Sequence, residues 1–75
     1  MNLKELYQEC SSKALDRVAE RVNVGRATLR AWALGYKGPN GKVRKPSMEQ
    51  IYALEKAHVF LKAKDMIEEF YPRED

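Results

Sequence analysis

Apolar residues recur every three or four positions along most of this 75-residue chain, a spacing that predicts amphipathic α-helices. The first three apolar stripes are Leu3, Leu6, Tyr7 and Cys10, then Leu15, Val18, Ala19 and Val22, then Leu29, Trp32 and Ala33. Asn2, paired with Glu5 three residues later, predicts a cap on the first helix, and the hydroxyls of Ser11 and Ser12 predict a cap on the second.

The second and third helices are predicted to be joined by a tight turn. Asn23 tolerates the left-handed backbone conformation that such a turn needs, and Gly25 allows the next helix to begin without side-chain crowding. Gly35 predicts the end of the third helix. Residues 14–34 therefore have the pattern of a helix-turn-helix.

Residues 36–46, with the sequence YKGPNGKVRKP, contain a strong turn signal at Gly38-Pro39-Asn40-Gly41. This stretch is predicted to be either an irregular loop or a small hairpin, with Tyr36 and Lys37 opposite Lys42 and Val43.

The C-terminal helical segment is predicted at residues 48–71, after a capping box formed by Ser47 and Gln50. Its apolar positions fall into two stripes that point in nearly opposite directions on one helix. A break near His58 is favoured, because a single helix would leave Met66, Ile67 and Phe70 in water. The predicted fold class is all-α, a compact single domain of four to five helices over residues 1–75. A hairpin at 36–46 is one of the two forms predicted for that stretch.

The charge along the chain is uneven. Residues 1–46 hold ten basic and four acidic side chains, a net charge of +6, whereas residues 47–75 hold four basic and seven acidic ones, a net charge of −3. Between Arg21 and Pro46 there are seven basic side chains and no carboxylate. A basic surface that coincides with a helix-turn-helix pattern favours double-stranded DNA as the partner.

The pattern of residues 14–34 resembles the helix-turn-helix of the lambda-repressor/Cro superfamily of phage and bacterial regulators. The resemblance covers roughly residues 1–60 and depends on small Ala19 at the helix crossing, on the apolar positions of residues 18–32, and on Arg44-Lys45-Pro46-Ser47 before the next helix. It departs from the family at Asn23 and Gly25, where the family commonly has Gly and a hydroxyl residue, and in the longer loop at 36–46. The resemblance implies a small phage- or prophage-type repressor that binds an operator as a homodimer.

Burial of Leu29 and Trp32 would turn the opposite face of the third helix outward. The side chains expected to contact bases in the major groove are Arg26, Ala27, Arg30 and Ala31. Those expected to contact phosphates are Ser12, Lys13, Thr28, Tyr36, Lys37, Lys42, Arg44 and Lys45. The dimer contacts are expected at Met66, Ile67, Phe70 and Tyr71. This interpretation requires both arginines to project from the helix.

Two alternatives remain open. The turn with Lys42 and Arg44 also resembles the wing of MerR-type regulators and phage excisionases, and the stripe from Met66 to Tyr71 would suit an antitoxin-type protein-binding module. An enzyme is not expected, because no nucleophile sits beside an evident base. One Cys and one His predict no metal site, no cofactor or small-molecule ligand is expected, and Glu68 and Glu69 are expected to form a solvated helix face. The absence of a long apolar run and the lone Cys10 favour a cytoplasmic protein with no membrane partner.

Overall fold

The computed structural model of the chain describes residues 1–39 and 41–73. These residues form five α-helices: α1 (Leu3–Glu9), α2 (Ser12–Val22), α3 (Arg26–Leu34), α4 (Met48–Ala57) and α5 (Ala63–Phe70). Across these residues the only β-structure is one isolated bridge. The predicted all-α fold of four to five helices is confirmed.

The helix starts follow the predicted caps. The Asn2 side chain accepts from the Glu5 amide at 2.9 Å, and the Glu5 carboxylate accepts from the Asn2 amide at 3.1 Å. Ser47 and Gln50 form the same reciprocal pair ahead of α4. Of the two hydroxyls, that of Ser11 caps α2, and the helix begins at Ser12.

The turn between α2 and α3 depends on Asn23. Its φ of 63° and ψ of 43° lie in the left-handed region, where an amide side chain is better tolerated than a bulky one. The Asn23 amide donates to the carbonyls of Ala19 and Glu20, and the Val24 amide donates to the Ala19 carbonyl at 3.0 Å. Gly25 then provides an extended N-cap for α3, and the helix-turn-helix is formed as predicted.

The core is shared by all five helices. The packed pairs are α1 on α3, α2 on both α3 and α4, and α4 on α5. Its fully enclosed side chains include Leu3, Leu6, Leu29, Ile51, Leu54, Leu61 and Met66. Burial of each such side chain stabilises the fold by about 1.5–3 kcal/mol. Trp32 is in this core, as predicted.

The predicted break near His58 is confirmed. α4 ends at Ala57, and His58 adopts an extended backbone and accepts from the Phe60 amide through Nδ1. α5 has no cap of its own at Lys62. The Glu55 carboxylate on α4 accepts from the Ala63 amide at 2.7 Å instead, which fixes where α5 begins.

The predicted dimer stripe is largely turned inward. Met66 has no exposed surface, so its assignment as a dimer contact is wrong. Ile67, Phe70 and Tyr71 are partly buried and pack against the same core. The break at His58 lets α5 fold back onto α4, and that return covers the stripe.

Glu69 is not part of a solvated face, contrary to expectation. Its two carboxylate oxygens accept from the amides of Leu3 at 2.9 Å and Lys4 at 3.1 Å, so α5 caps the first turn of α1. Burial raises the pKa of Glu69, by more than the two backbone hydrogen bonds lower it. The N-terminal helix is therefore tied to the C-terminal one.

Glu69→Ala is expected to lower the free energy of unfolding by about 1–2 kcal/mol, because two amides at a helix start lose their acceptor. Glu20→Ala is the matched control, since Glu20 is an exposed glutamate near the end of α2, and it should change stability by less than about 0.5 kcal/mol. Urea unfolding of both variants measures the difference. Equal effects at the two positions would contradict the capping role.

The raised pKa of Glu69 also predicts a pH dependence. The folded protein holds the Glu69 proton more tightly than the unfolded chain, so this contribution to stability is complete below the ordinary value of about 4.5 and is lost as the pH rises through the folded pKa. The stability of the protein relative to its Glu69→Gln variant should therefore fall with rising pH across that window. Denaturant unfolding of both proteins between pH 3 and pH 7 tests this. The prediction is refuted if the free energy of unfolding of the protein minus that of the variant increases with pH.

Candidate nucleic-acid interface

One face of α3 is open to solvent. Leu29, Trp32 and Ala33 are buried, whereas Ala27, Arg30 and Leu34 are exposed. The exposed residues fall on one side of the helix because positions three and four apart share a face. The inward orientation of Leu29 and Trp32 is as predicted.

Ala31 does not belong to this face. It is only 6% exposed, so its assignment as a base contact is wrong. The outward face is centred between Ala27, Arg30 and Leu34, and Ala31 lies to one side of that centre, where the Tyr36 amide donates to its carbonyl at 3.0 Å. Thr28, which was expected to contact phosphate, is half-buried.

Arg30 projects from the middle of the open face. Its Nη2 donates to the Tyr36 hydroxyl at 3.1 Å, and its guanidinium lies over the Tyr36 ring, 5.4 Å from the ring centre. Both side chains are exposed. No carboxylate pairs with Arg30 within the described residues, so its charge is available to an anion.

Arg26 has a different environment. Its Nη1 donates to the Asp16 carboxylate at 2.8 Å and to the Ser12 carbonyl at 3.0 Å. The guanidinium also lies 5.8 Å from the centre of the Tyr7 ring. The expectation that Arg26 projects like Arg30 is wrong, because Asp16 on α2 draws its side chain back across the helix-turn-helix.

This contact changes the local electrostatics. The hydrogen bond to Asp16 raises the pKa of Arg26, and the guanidinium of an arginine is charged in any case. Its charge cancels that of Asp16, whose side chain is 62% exposed. The Arg26–Asp16 pair therefore presents no net negative charge beside the first residue of α3.

Tyr7 contributes to this surface although the predictions did not include it there. Its place on the apolar stripe of α1 is as predicted, because it is partly buried and packs against the core. It also lines a shallow concavity together with Arg26, Ala27 and Arg30. A signal was present in the sequence, because Tyr7 lies at the edge of the α1 stripe rather than at its centre. Asp16 is exposed on α2 and joins the surface through Arg26.

The segment after α3 is a short hairpin, the second of the two predicted forms. Lys37 and Val43 form an antiparallel bridge, the Gly38 amide donates to the Lys42 carbonyl, and the Arg44 amide donates to the Tyr36 carbonyl. Gly41, with a φ of 78°, supplies the left-handed residue that the turn needs. Asn40 lies outside the described residues.

The remaining phosphate candidates are placed around α3. Lys37, Lys42 and Arg44 have exposed side chains on the hairpin, and Ser12 and Lys13 are exposed in the first turn of α2. Lys45 directs its ammonium onto the Tyr71 ring, 4.2 Å from the ring centre. Basic groups therefore lie on both elements that flank the exposed face of α3 in sequence.

Tyr71 links the hairpin to α5. Its hydroxyl donates to the Pro46 carbonyl at 2.8 Å, and its ring holds Lys45. One edge of Tyr71 also lines an apolar groove with Tyr52, Ile67 and Pro72. Tyr52 is 50% exposed, so this groove is open on the side of the molecule formed by α4 and α5.

Residues 1–39 and 41–73 contain no cluster of three or more His, Cys, Asp or Glu side chains placed to hold a metal ion. None of their helices combines the length and apolar character of a membrane span. Comparison of the chain with known protein families, with characterised proteins and with solved structures gives no significant match. The functional assignment is therefore argued from the chemistry of this surface.

Proposed function

We propose that the protein is a sequence-specific double-stranded DNA-binding transcriptional regulator, a Cro-like repressor in its mode of action. The observation that carries the proposal is the exposed face of α3, where Arg30 projects beside small Ala27 and pairs with no carboxylate of residues 1–39 and 41–73. A basic hairpin follows this helix directly. These are the features of a helix that enters the major groove between two phosphate backbones.

The dimensions of the groove favour this orientation. The major groove of B-DNA is about 12 Å wide and admits a single α-helix. Ala27 has no long side chain to hold α3 away from the base edges, and its methyl group suits contact with a thymine methyl. Arg30 can donate two parallel hydrogen bonds to the paired acceptors of guanine. The sequence-based interpretation required both arginines to project, and only Arg30 does so. Base recognition is therefore proposed for Ala27 and Arg30 alone, with Arg26 as an organiser of the surface.

Phosphate contacts are proposed on both sides of α3. On one side are Ser12 and Lys13, where the first turn of α2 presents backbone amides. On the other are the hairpin side chains Lys37, Lys42 and Arg44. Such contacts fix the register of the protein on DNA and supply affinity without reading sequence.

The hairpin also bears on the winged-helix alternative. Paired strands on either side of the turn are what a wing requires, and the Lys37–Val43 bridge provides one pair. α1, however, precedes the helix-turn-helix and packs against α3, whereas a MerR-type pattern begins with the motif itself. We therefore propose that the hairpin acts as an accessory phosphate contact beside α3.

We propose that the protein binds its operator as a homodimer through the α4–α5 groove. The groove offers the apolar side chains of Tyr52, Ile67 and Tyr71, and it is flanked by exposed Lys64 and Glu68, one turn apart on α5. Two copies related by a two-fold axis can place Lys64 of each against Glu68 of the other, as an isologous contact requires. The antitoxin-type alternative loses its main support, because Met66 and much of Phe70 pack into the chain's own core.

The DNA-binding proposal predicts a separation between two variants. Arg30→Ala should weaken binding to a duplex selected from a random library by about 1–3 kcal/mol and leave binding to a scrambled duplex nearly unchanged. Lys37→Ala should weaken both complexes similarly and reduce the slope of log K against log salt by about 1.

Fluorescence anisotropy with both duplexes at several salt concentrations measures these effects. If Arg30→Ala weakens the two duplexes equally, Arg30 contacts phosphate rather than a base. A selection that returns no preferred sequence would refute sequence-specific binding.

The dimer proposal predicts that charge reversal at one position is repaired at the other. Lys64→Glu should weaken self-association at least about tenfold, because it places like charges together twice across the two-fold axis. The double variant Lys64→Glu with Glu68→Lys should restore association. Sedimentation equilibrium measures this, and an unaltered association constant for the single variant would exclude the α4–α5 interface.

A further inference from the structure

Tyr36 has two contacts with Arg30 at once. Its hydroxyl oxygen accepts from Arg30 Nη2 at 3.1 Å, and its ring lies under the guanidinium at 5.4 Å. Tyr36 itself is 46% exposed and is not part of the hydrophobic core. The contact therefore orients an exposed arginine on the proposed DNA-binding face. Tyr36 does not make this contact as a part of the core packing.

The backbone of Tyr36 is held on both sides. Its amide donates to the Ala31 carbonyl at 3.0 Å, and its carbonyl accepts from the Arg44 amide at 3.1 Å. Gly35 precedes it in the left-handed conformation, with φ of 73°, which turns the chain back beside α3. The hairpin thus places the phenol ring next to the reading helix, and the ring restricts the Arg30 side chain.

A hydroxyl group carries one hydrogen to donate and two lone pairs to accept. The bond from Arg30 Nη2 uses one lone pair of the Tyr36 oxygen. Together with the ring that lies under the guanidinium, this bond limits the directions in which the Arg30 side chain can point.

We infer that Tyr36 is a positioning residue for sequence recognition, acting through Arg30. The inference rests on the proposed DNA-binding function and deepens it. A free arginine side chain has many rotamers, and their loss on ordering opposes binding. Because Tyr36 already restricts the Arg30 side chain in the free protein, less rotamer entropy is lost when the protein binds DNA. The gain applies where Arg30 must adopt one geometry against a base, and it is small in non-specific complexes, where the guanidinium can contact phosphates in several ways.

The test uses the duplex that the protein itself selects from a random library, and a scrambled duplex of the same composition. Tyr36→Phe keeps the ring under the guanidinium and removes only the hydroxyl. It should weaken binding to the selected duplex about three- to tenfold, the value of one hydrogen bond, and binding to the scrambled duplex less than about twofold. Because tyrosine is neutral, the salt dependence should not change.

The Arg30→Ala background is the matched control for the same substitution. If Tyr36 acts through Arg30, then Tyr36→Phe in that background should change binding to the selected duplex by less than about twofold, since coupled residues show non-additive effects. Thermal unfolding of every variant verifies that the fold is retained. A purely structural role for Tyr36 would lower the unfolding temperature and weaken both duplexes together.

Three results would overturn the inference. Equal weakening on both duplexes would make Tyr36 an ordinary phosphate contact, and no weakening would remove it from the interface. Full additivity with Arg30→Ala would show that the two side chains act independently. These results leave the proposed function intact if Arg30→Ala still loses sequence preference, whereas a selection without a preferred duplex overturns the proposed function and this inference with it.

Discussion

The burial of Leu29 and Trp32 is the constraint on which the proposed DNA-binding surface depends. These two side chains fix the rotation of α3 about its own axis, because they must enter the core shared with α1 and α2. Once that rotation is fixed, Ala27 and Arg30 have to face outward and Ala31 has to face the side. The left-handed Asn23 at the preceding turn allows α3 to approach α2 closely enough for this packing. A change that rotated α3 by one residue, about 100°, would replace the exposed arginine with a buried one.

The two arginines of α3 differ in their electrostatic state because their neighbouring side chains differ. Arg26 lies one turn before Arg30, and both have the same chemistry. Asp16 on α2 accepts from Arg26, whereas Arg30 is held by the neutral phenol of Tyr36. A carboxylate partner cancels charge, and an aromatic partner orients the guanidinium without cancelling it. The same sequence therefore yields one arginine that stabilises the helix-turn-helix and one that remains electrostatically active.

Local rules predicted most of the fold, and contacts between distant segments account for what they missed. The caps at Asn2 and Ser47, the turn at Asn23 and the break near His58 each depend on a few consecutive residues, so the sequence contains their full cause. The capping of α1 by Glu69 joins residues more than sixty positions apart, and no periodicity in the sequence reports it. The pairing of Arg26 with Asp16 was missed for a related reason. The helical pattern gives the face of each residue, but the angle between α2 and α3 decides which long side chains can reach across.

The charge distribution between Arg21 and Pro46 supports a polyanionic partner on energetic grounds. Seven basic side chains without an intervening carboxylate repel one another. Three of the seven have neutral partners: Arg21 donates to the Ala57 carbonyl, Arg30 to a phenol, and Lys45 lies on a tyrosine ring. Such partners orient a positive charge without cancelling it. Under the proposed function, association with a row of phosphates would relieve the repulsion between these groups and add the free energy of counterion release.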